Sequence, residues 1–221
     1  MPFDSDKDGL LDQEETEIWG TDPYKADSDG DNTADGDEIE IGTNPLDAND
    51  HPYFGGWPID AWCRGDIVPS GNLEGQVTDN FSLLDQFGEV VRLWDFCGRA
   101  VLLVSGAGYC GTCQDTAHSN QTTYEHFRDQ GFIVLYLFGM DQLGNIPDQQ
   151  DLVDWAEYHE LDFPVLADEN FAVANRYINT PTPGIPAYTL LAPGAVVDIS
   201  YTYSVTANDI EDILPARYPG P

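Results

Sequence analysis

The stretch Gly108-Tyr109-Cys110-Gly111-Thr112-Cys113 follows an apolar run, residues 99–105 (RAVLLVS), that reads as a buried strand. A C-x-x-C pair where a strand gives way to a helix carries a mechanism. The helix N-terminus presents unpaired N–H groups and the positive end of the dipole, and both favour a thiolate at the first cysteine. The second cysteine, one turn on, can attack a mixed disulfide formed at the first. Haem attachment needs a histidine after the second cysteine, and Gln114 stands there. A zinc site needs two further ligands, and none is suitably spaced.

Strands and helices alternate outward from this motif. Residues 131–138 (GFIVLYLF) read as a second buried strand. Helical spacing is expected over 148–160, where Leu152, Val153, Trp155, Ala156 and Tyr158 recur, then a short strand at 163–167 and a helix at 169–178. Residues 188–191 and 196–203 form a hairpin across Pro193-Gly194, and 208–214 closes the chain as a helix. The alternation from residue 81 onward implies an α/β domain. A second cue is Thr182-Pro183-Gly184-Ile185-Pro186-Ala187-Tyr188, where an X-Pro bond opens a strand. That bond is a candidate cis proline, with an edge-strand trans proline as the alternative. His118, His126 and His159 lie in helical or polar runs and read as surface residues.

A C-x-x-C after a strand, followed by a candidate cis proline, resembles the thioredoxin superfamily. More narrowly, residues 66–215 resemble its redoxin or TlpA-like branch. Supporting pieces are residues 80–91 (NFSLLDQFGEVV), 163–166 (FPVL) and Gly184-Ile185-Pro186. The resemblance implies a thioredoxin-like fold, a central mixed sheet flanked by helices. It also implies Cys110 as nucleophile, Cys113 as resolving residue, and Pro186 with the Ile185 backbone pairing with an extended substrate segment. Tyr109 stands where this superfamily usually has tryptophan and keeps an aromatic lid. Val104, six residues before Cys110, replaces the buried acid of thioredoxins proper, so that proton relay is missing. Ala107 replaces the threonine that a peroxiredoxin needs, which makes a thiol peroxidase the weaker reading.

The other two cysteines, Cys63 and Cys97, are each followed closely by glycine. In an oxidising compartment they can form a structural bridge that staples the N-terminal segment to the first core strand. Two free buried thiols or a metal pair are the alternatives. No histidine or third cysteine has metal-ligand spacing to them, which favours the bridge.

The amino-terminal fifty residues are of another kind. They hold 17 acids and two bases, against 23 acids and six bases in the rest. The whole chain carries a formal net charge of -32, which excludes a phosphate-neutralising nucleic-acid binder. With 41% hydrophobic and 12% aromatic residues among 221, a folded core is still expected. Residues 4–15 (DSDKDGLLDQEE) align with 27–38 (DSDGDNTADGDE), and each is followed by a Gly-Thr-Asp/Asn-Pro element, Gly20 and Gly42 onward. Acids fall at positions 1, 3, 5, 9 and 12, the spacing that lets a tight loop converge on one hard cation. The candidate ligands are Asp4, Asp6, Asp8, the Leu10 carbonyl, Asp12 and Glu15, then Asp27, Asp29, Asp31, the Thr33 carbonyl, Asp35 and Glu38. A solvated acidic tail is the competing reading. Asn32 replaces the position-6 glycine, and asparagine tolerates the left-handed backbone needed there. Flanking helices too short for an EF-hand argue for another framework.

These repeats resemble thrombospondin type 3 repeats of bacterial surface proteins. That resemblance implies a loop-rich arm with little apolar core, wrapped around two or more structural calcium ions and needing no organic cofactor. The expected layout is a calcium arm at 1–50, a linker at 51–62 and the redox domain at 63–221. The expected activity is thiol–disulfide exchange with a protein thiol or disulfide partner, at a periplasmic, cell-surface or secreted location. A non-catalytic surface-binding protein that uses the fold as scaffold is the alternative. The start MPFDSDKDG reads as no signal peptide, and no run is long and apolar enough to span a membrane. A signal peptide or lipid anchor removed from the precursor is compatible with that reading.

Overall fold

Strands β3 (Ala100–Gly106) and β4 (Phe132–Phe138) are buried at every position. A strand covered on both faces needs no polar alternation, which is why both segments read as near-continuous apolar runs. In the computed structural model, which describes residues 3–178 and 183–216, these two strands pair in parallel, Ala100 opposite Phe132 and Gly106 opposite Phe138. Parallel pairing requires a crossover, and helix α4 (Gly111–Phe127) supplies it. Helix α5 (Gln149–Tyr158) leads from β4 to β5 (Val165–Ala167), also parallel. Asp148 caps α5 by accepting from the Asp151 N–H, which moves the helix start from the expected residue 148 to 149. Strand β6 (Ala187–Ala192) lies antiparallel on the other side of β3 and pairs with β7 (Val196–Thr202). The sheet order is therefore β5-β4-β3-β6-β7, a mixed sheet with β3 at its centre.

The closing helix is only one short piece, Ala207–Glu211, and residues 212–214 continue it only as turns, with the Ile213 and Leu214 N–H groups both donating to the Ile210 carbonyl. Residues 169–178 are a larger departure. They form two 3-10 turns, Glu169–Phe171 and Ala174–Tyr177, because Asn170 and Phe171 take left-handed backbones at φ 54° and 60°. The fully buried Asp168 carboxylate accepts from the Val173 and Ala174 N–H groups at 2.7 and 2.9 Å and restarts the chain there. The Phe171 ring fills the space that a Cβ on Gly139 would occupy. Helical periodicity cannot report either contact.

The chain divides into two compact units, one up to Trp62 and one from Cys63. In the second, a hairpin of β1 (Ser82–Leu84) and β2 (Val90–Arg92) precedes the main sheet. Cys63, in the short helix α3 (Ala61–Arg64), and Cys97 form a disulfide with Cα atoms 6.0 Å apart. Beside it, Arg64 Nη1 donates to the buried Asp95 carboxylate at 3.1 Å. Closing the 34-residue span removes chain entropy worth about 3–4 kcal/mol. Replacing both cysteines with alanine is expected to lower the calorimetric Tm by roughly 6–16 °C. An unchanged Tm would show that the unfolded chain gains nothing from losing this bridge.

In the first unit each acidic loop runs into a short helical segment. One is α1 (Asp12–Glu14) followed by a wider π-type turn, Glu15–Trp19; the other is α2 (Asp35–Ile41). Gly20 and Gly42 end them at φ 81° and 93° and donate back to the carbonyls of Glu15 and Glu38. Glycine reaches that left-handed cap without the Cβ penalty.

Candidate functional site

Cys110 is the N-cap of the 17-residue α4, four residues past the end of β3, and its Sγ accepts the Cys113 N–H at 3.1 Å. The two sulfurs are bonded to each other. Cys110 retains 9% exposure and Cys113 none, so an incoming group meets Cys110 first. The turn is fixed from both sides: Cys110 N–H donates to the Ala107 carbonyl at 3.1 Å, and Gln114 Nε2 donates to the Gly108 carbonyl at 2.9 Å. Gly108 is glycine because a Cβ there would lie 2.8 Å from the Gln142 backbone nitrogen.

The Ile185–Pro186 peptide is cis, and the Ile185 carbonyl oxygen lies 3.7 Å from Cys110 Sγ. Pro186 is buried, Ile185 half-buried, and Asn179 to Thr182 lie outside the described residues. Tyr109, 52% exposed, points its hydroxyl at the Met140 sulfur at 3.9 Å. The structure thus brings Tyr109, Cys110, Cys113, Ile185 and Pro186 to one place. A cleft beside the disulfide is lined by Tyr109, Phe171, Ala174, Gly184, Ile185 and Tyr201. Tyr201 donates to the Gly184 carbonyl at 2.8 Å and steadies the loop before the cis proline. Phe171 and Tyr201 escaped the sequence reading. Phe171 arrives through the left-handed turn described above, and Tyr201 looked like one more residue of an alternating strand. His159 is not on the redox site; its ring packs against Trp155, tilted by 59° at 4.4 Å between centroids, and burial pushes its imidazole below the ordinary value.

The acidic loops have their own internal order. Asp4, Asp6 and Asp8 each offer an oxygen to a group whose atoms lie within 4.8 Å of one another, and so do Asp27, Asp29 and Asp31. One oxygen of each second and third acid accepts a backbone N–H: Asp6 from Asp8, Asp8 from Leu10, Asp29 from Asp31 and Asp31 from Thr33. The other oxygen of all four is buried with no hydrogen-bond partner. The same holds for Oε2 of Glu15 and Glu38, whose Oε1 atoms accept the Thr21 and Thr43 hydroxyls at 3.3 and 3.1 Å. Six oriented, buried carboxylate oxygens without hydrogen-bond partners among the described residues are what a hard cation requires. Those threonines explain the Gly-Thr element that follows each loop: the glycine turns the chain back and the threonine locks the position-12 glutamate.

The position-9 acids behave differently. Asp12 accepts the N–H and hydroxyl of Ser5, both at 2.8 Å, and Asp35 accepts those of Ser28, both at 2.7 Å. Neither joins the trio of its own loop. Asn32 sits at φ 79°, the left-handed geometry expected at position 6. Burial raises Glu15 and Glu38 to about 7, helped by Asp6 and Asp8 for Glu15 and by Asp31 and Asp29 for Glu38. The Leu10 side chain is buried, whereas Thr33 is half-buried.

Comparison with known proteins resolves the two units separately. The profile described as "AhpC/TSA family" matches residues 75–198, more than half of the chain. The chain belongs to the AhpC/TSA family. Within that AhpC/TSA chain, the bacterial TSP3 repeat profile matches residues 4–26 and 27–48, one match per acidic loop. The thiol-disulfide oxidoreductase ResA of Geobacillus kaustophilus is 27% identical over 146 residues, 66% of this chain and 78% of ResA. Among solved structures, a secreted thiol-disulfide isomerase from Corynebacterium glutamicum superposes with a TM-score of 0.53 at 21% identity, over 63% of this chain and 83% of that one. A Chlorobium tepidum structure described as a DsbE thiol:disulfide interchange protein gives 0.50 at 19% identity, over 64% and 92%. The mixed sheet of this AhpC/TSA member is thus a thioredoxin-like fold. The reading of type 3 repeats followed by a redoxin-like domain holds. Within the family domain, Val104 and Ala107 are fully buried apolar residues, so neither a carboxylate nor a hydroxyl reaches the cysteine pair from those positions.

Proposed function

We propose that this chain is an extracytoplasmic thiol–disulfide oxidoreductase acting on protein substrates, with an amino-terminal arm stabilised by calcium. The observation that carries the redox reading is Cys110 at the N-cap of α4, bonded to the buried Cys113 and facing the Ile185 carbonyl at 3.7 Å. The ResA and secreted-isomerase likenesses support both chemistry and location.

In the reduced chain the helix N-terminus favours the Cys110 thiolate, which attacks one sulfur of a partner disulfide. The partner S–S bond breaks, its second sulfur leaves as a thiolate and takes a proton, and a mixed disulfide joins Cys110 to the partner. Cys113, deprotonated as it attacks, displaces the partner from Cys110 Sγ. Two electrons have then passed to the partner, which departs as a dithiol, and Cys110 and Cys113 are bonded again. The reverse order oxidises a partner dithiol, and the reduction potential against that of the compartment sets the direction. Ile185 and Pro186 offer backbone to an extended partner segment, and Tyr109 shields the bond being exchanged. Without a hydroxyl at Ala107, peroxide chemistry is disfavoured.

Calcium fits the arm because its ligands are all oxygens, six to eight in number, in adaptable geometry. Asp4, Asp6, Asp8, Glu15 and the Leu10 carbonyl would hold one ion. Asp27, Asp29, Asp31, Glu38 and the Thr33 carbonyl would hold another. The layout is then a calcium arm over 1–50, a connecting 51–62 and a redox domain over 63–221.

The redox reading is tested by trapping. The reduced Cys113→Ser protein, mixed with a disulfide-bonded polypeptide such as insulin, should accumulate a covalent adduct through Cys110 that dithiothreitol releases. No adduct, together with no insulin reduction by the unmodified chain, would leave the fold a scaffold and end the enzymatic reading.

A further inference from the structure

Resting on the calcium reading above, we propose that the first repeat's cation site is bipartite, with Asp35 of the second repeat supplying a carboxylate to the ion held by Asp8 and Glu15. Oxygens of Asp8, Glu15 and Asp35 all lie within 4.8 Å of one another. Glu15 and Asp35 are fully buried. Glu15 Oε2 and Asp8 Oδ2 have no hydrogen-bond partner. Three carboxylates this close, two of them fully buried and Asp8 half-buried, repel one another unless a cation joins them.

The approach between repeats is built into the backbone. A Cβ on Gly36 would lie 2.1 Å from the Asp8 carbonyl oxygen, so the residue after Asp35 must lack a side chain for the second repeat to reach the first loop. The corresponding position in the first repeat is Gln13, which is exposed. Ser28 holds both Asp35 oxygens at 2.7 Å, fixing the carboxylate while leaving each oxygen a lone pair for metal. Asp35 stands apart from the Asp27, Asp29 and Asp31 trio of its own loop. Asp8 belongs to two groups, one with Asp4 and Asp6 of its own loop and one with Glu15 and Asp35, so the carboxylate that serves the first loop also meets the second repeat. Ion binding at the first loop therefore requires the second repeat in place, and the repeats load calcium as a linked pair rather than as two independent beads.

A calcium titration of the full-length chain followed by ¹⁵N-resolved amide signals separates the sites, with Gly9 reporting the first loop and Gly30 the second. Asp35→Asn should raise the calcium midpoint at Gly9 at least tenfold and at Gly30 threefold or less. Asp37→Asn removes one exposed acid from the same helix and should move Gly9 by threefold or less. The proposal is overturned if Asp35→Asn shifts Gly30 more than Gly9, or moves Gly9 no further than Asp37→Asn does. Should Asp35→Asn fail to fold at saturating calcium, Ser28→Ala keeps the carboxylate and frees its orientation. A shift of threefold or more at Gly9 then supports the assignment, and no shift there defeats it. Absence of any calcium response at Gly9 and Gly30 in the unmodified chain would instead remove the calcium reading itself.

Discussion

Cys110→Ser is expected to lower insulin-disulfide reduction by at least about 10³-fold, with dithiothreitol recycling the chain and far-UV CD unchanged. The expectation follows from the atom rather than from the pocket. A hydroxyl at the same N-cap keeps the hydrogen bond from the Cys113 N–H and so preserves the start of α4. It does not ionise near neutrality and does not form the mixed disulfide, so turnover stops while the fold remains. Cys113 is fully buried and cannot substitute as the attacking sulfur, and Cys63 and Cys97 are tied to each other. Retention of more than about a tenth of the rate would therefore place the nucleophile elsewhere and overturn the roles assigned to this turn.

The parts of this arrangement that were legible in the sequence are those in which local chemistry and tertiary structure agree. Residues 100–104 and 132–138 are apolar or aromatic throughout because β3 and β4 are covered on both faces, and the C-x-x-C falls where β3 hands over to α4. The acids of the loops repeat with a fixed spacing because consecutive side chains of a tight turn must converge. What the sequence concealed depends on contacts between distant segments. Residues 169–178 have helical spacing, yet Asp168 and Gly139 impose a left-handed turn that carries Phe171 to the cleft beside Cys110. The alignment of the two acidic loops gives Asp12 and Asp35 the same role. Only the second follows a path that places its carboxylate beside another loop, because glycine follows it. Thr21 and Thr43 are a repeated element in the sequence, but their task lies in a side-chain contact that the repeat does not spell out, each hydroxyl donating to the glutamate six or five residues before it.

Removal of calcium is expected to unfold the first unit while leaving the second folded. Six buried carboxylate oxygens there lack partners. Leaving a buried polar atom unsatisfied costs about 1–3 kcal/mol, more for a charged one. The total is comparable with the entire stability of an ordinary small domain, about 5–15 kcal/mol. Little apolar burial offsets it. Leu10, Tyr53 and Trp57 are the buried hydrophobics of this unit among the described residues, while Ile18, Trp19, Tyr24, Ile41 and Leu46 remain exposed. Excess EGTA should therefore open residues 3–50 to protease within minutes, and millimolar calcium should protect them. Acid gives an independent check with a definite sign. In the cation-free arm Glu15 and Glu38 stand at about 7, above their ordinary 4.5, so the folded state binds more protons than the unfolded one between those values. Stability of the cation-free arm thus falls as pH rises from 4.5 through 7, the reverse of an ordinary paired carboxylate. Calcium competes with those same protons, so its affinity should weaken about tenfold or more between pH 7.5 and 5.5. A calorimetric titration showing pH-independent affinity, or an arm equally protected with and without EGTA, would show that these acids are satisfied by something other than a bound cation.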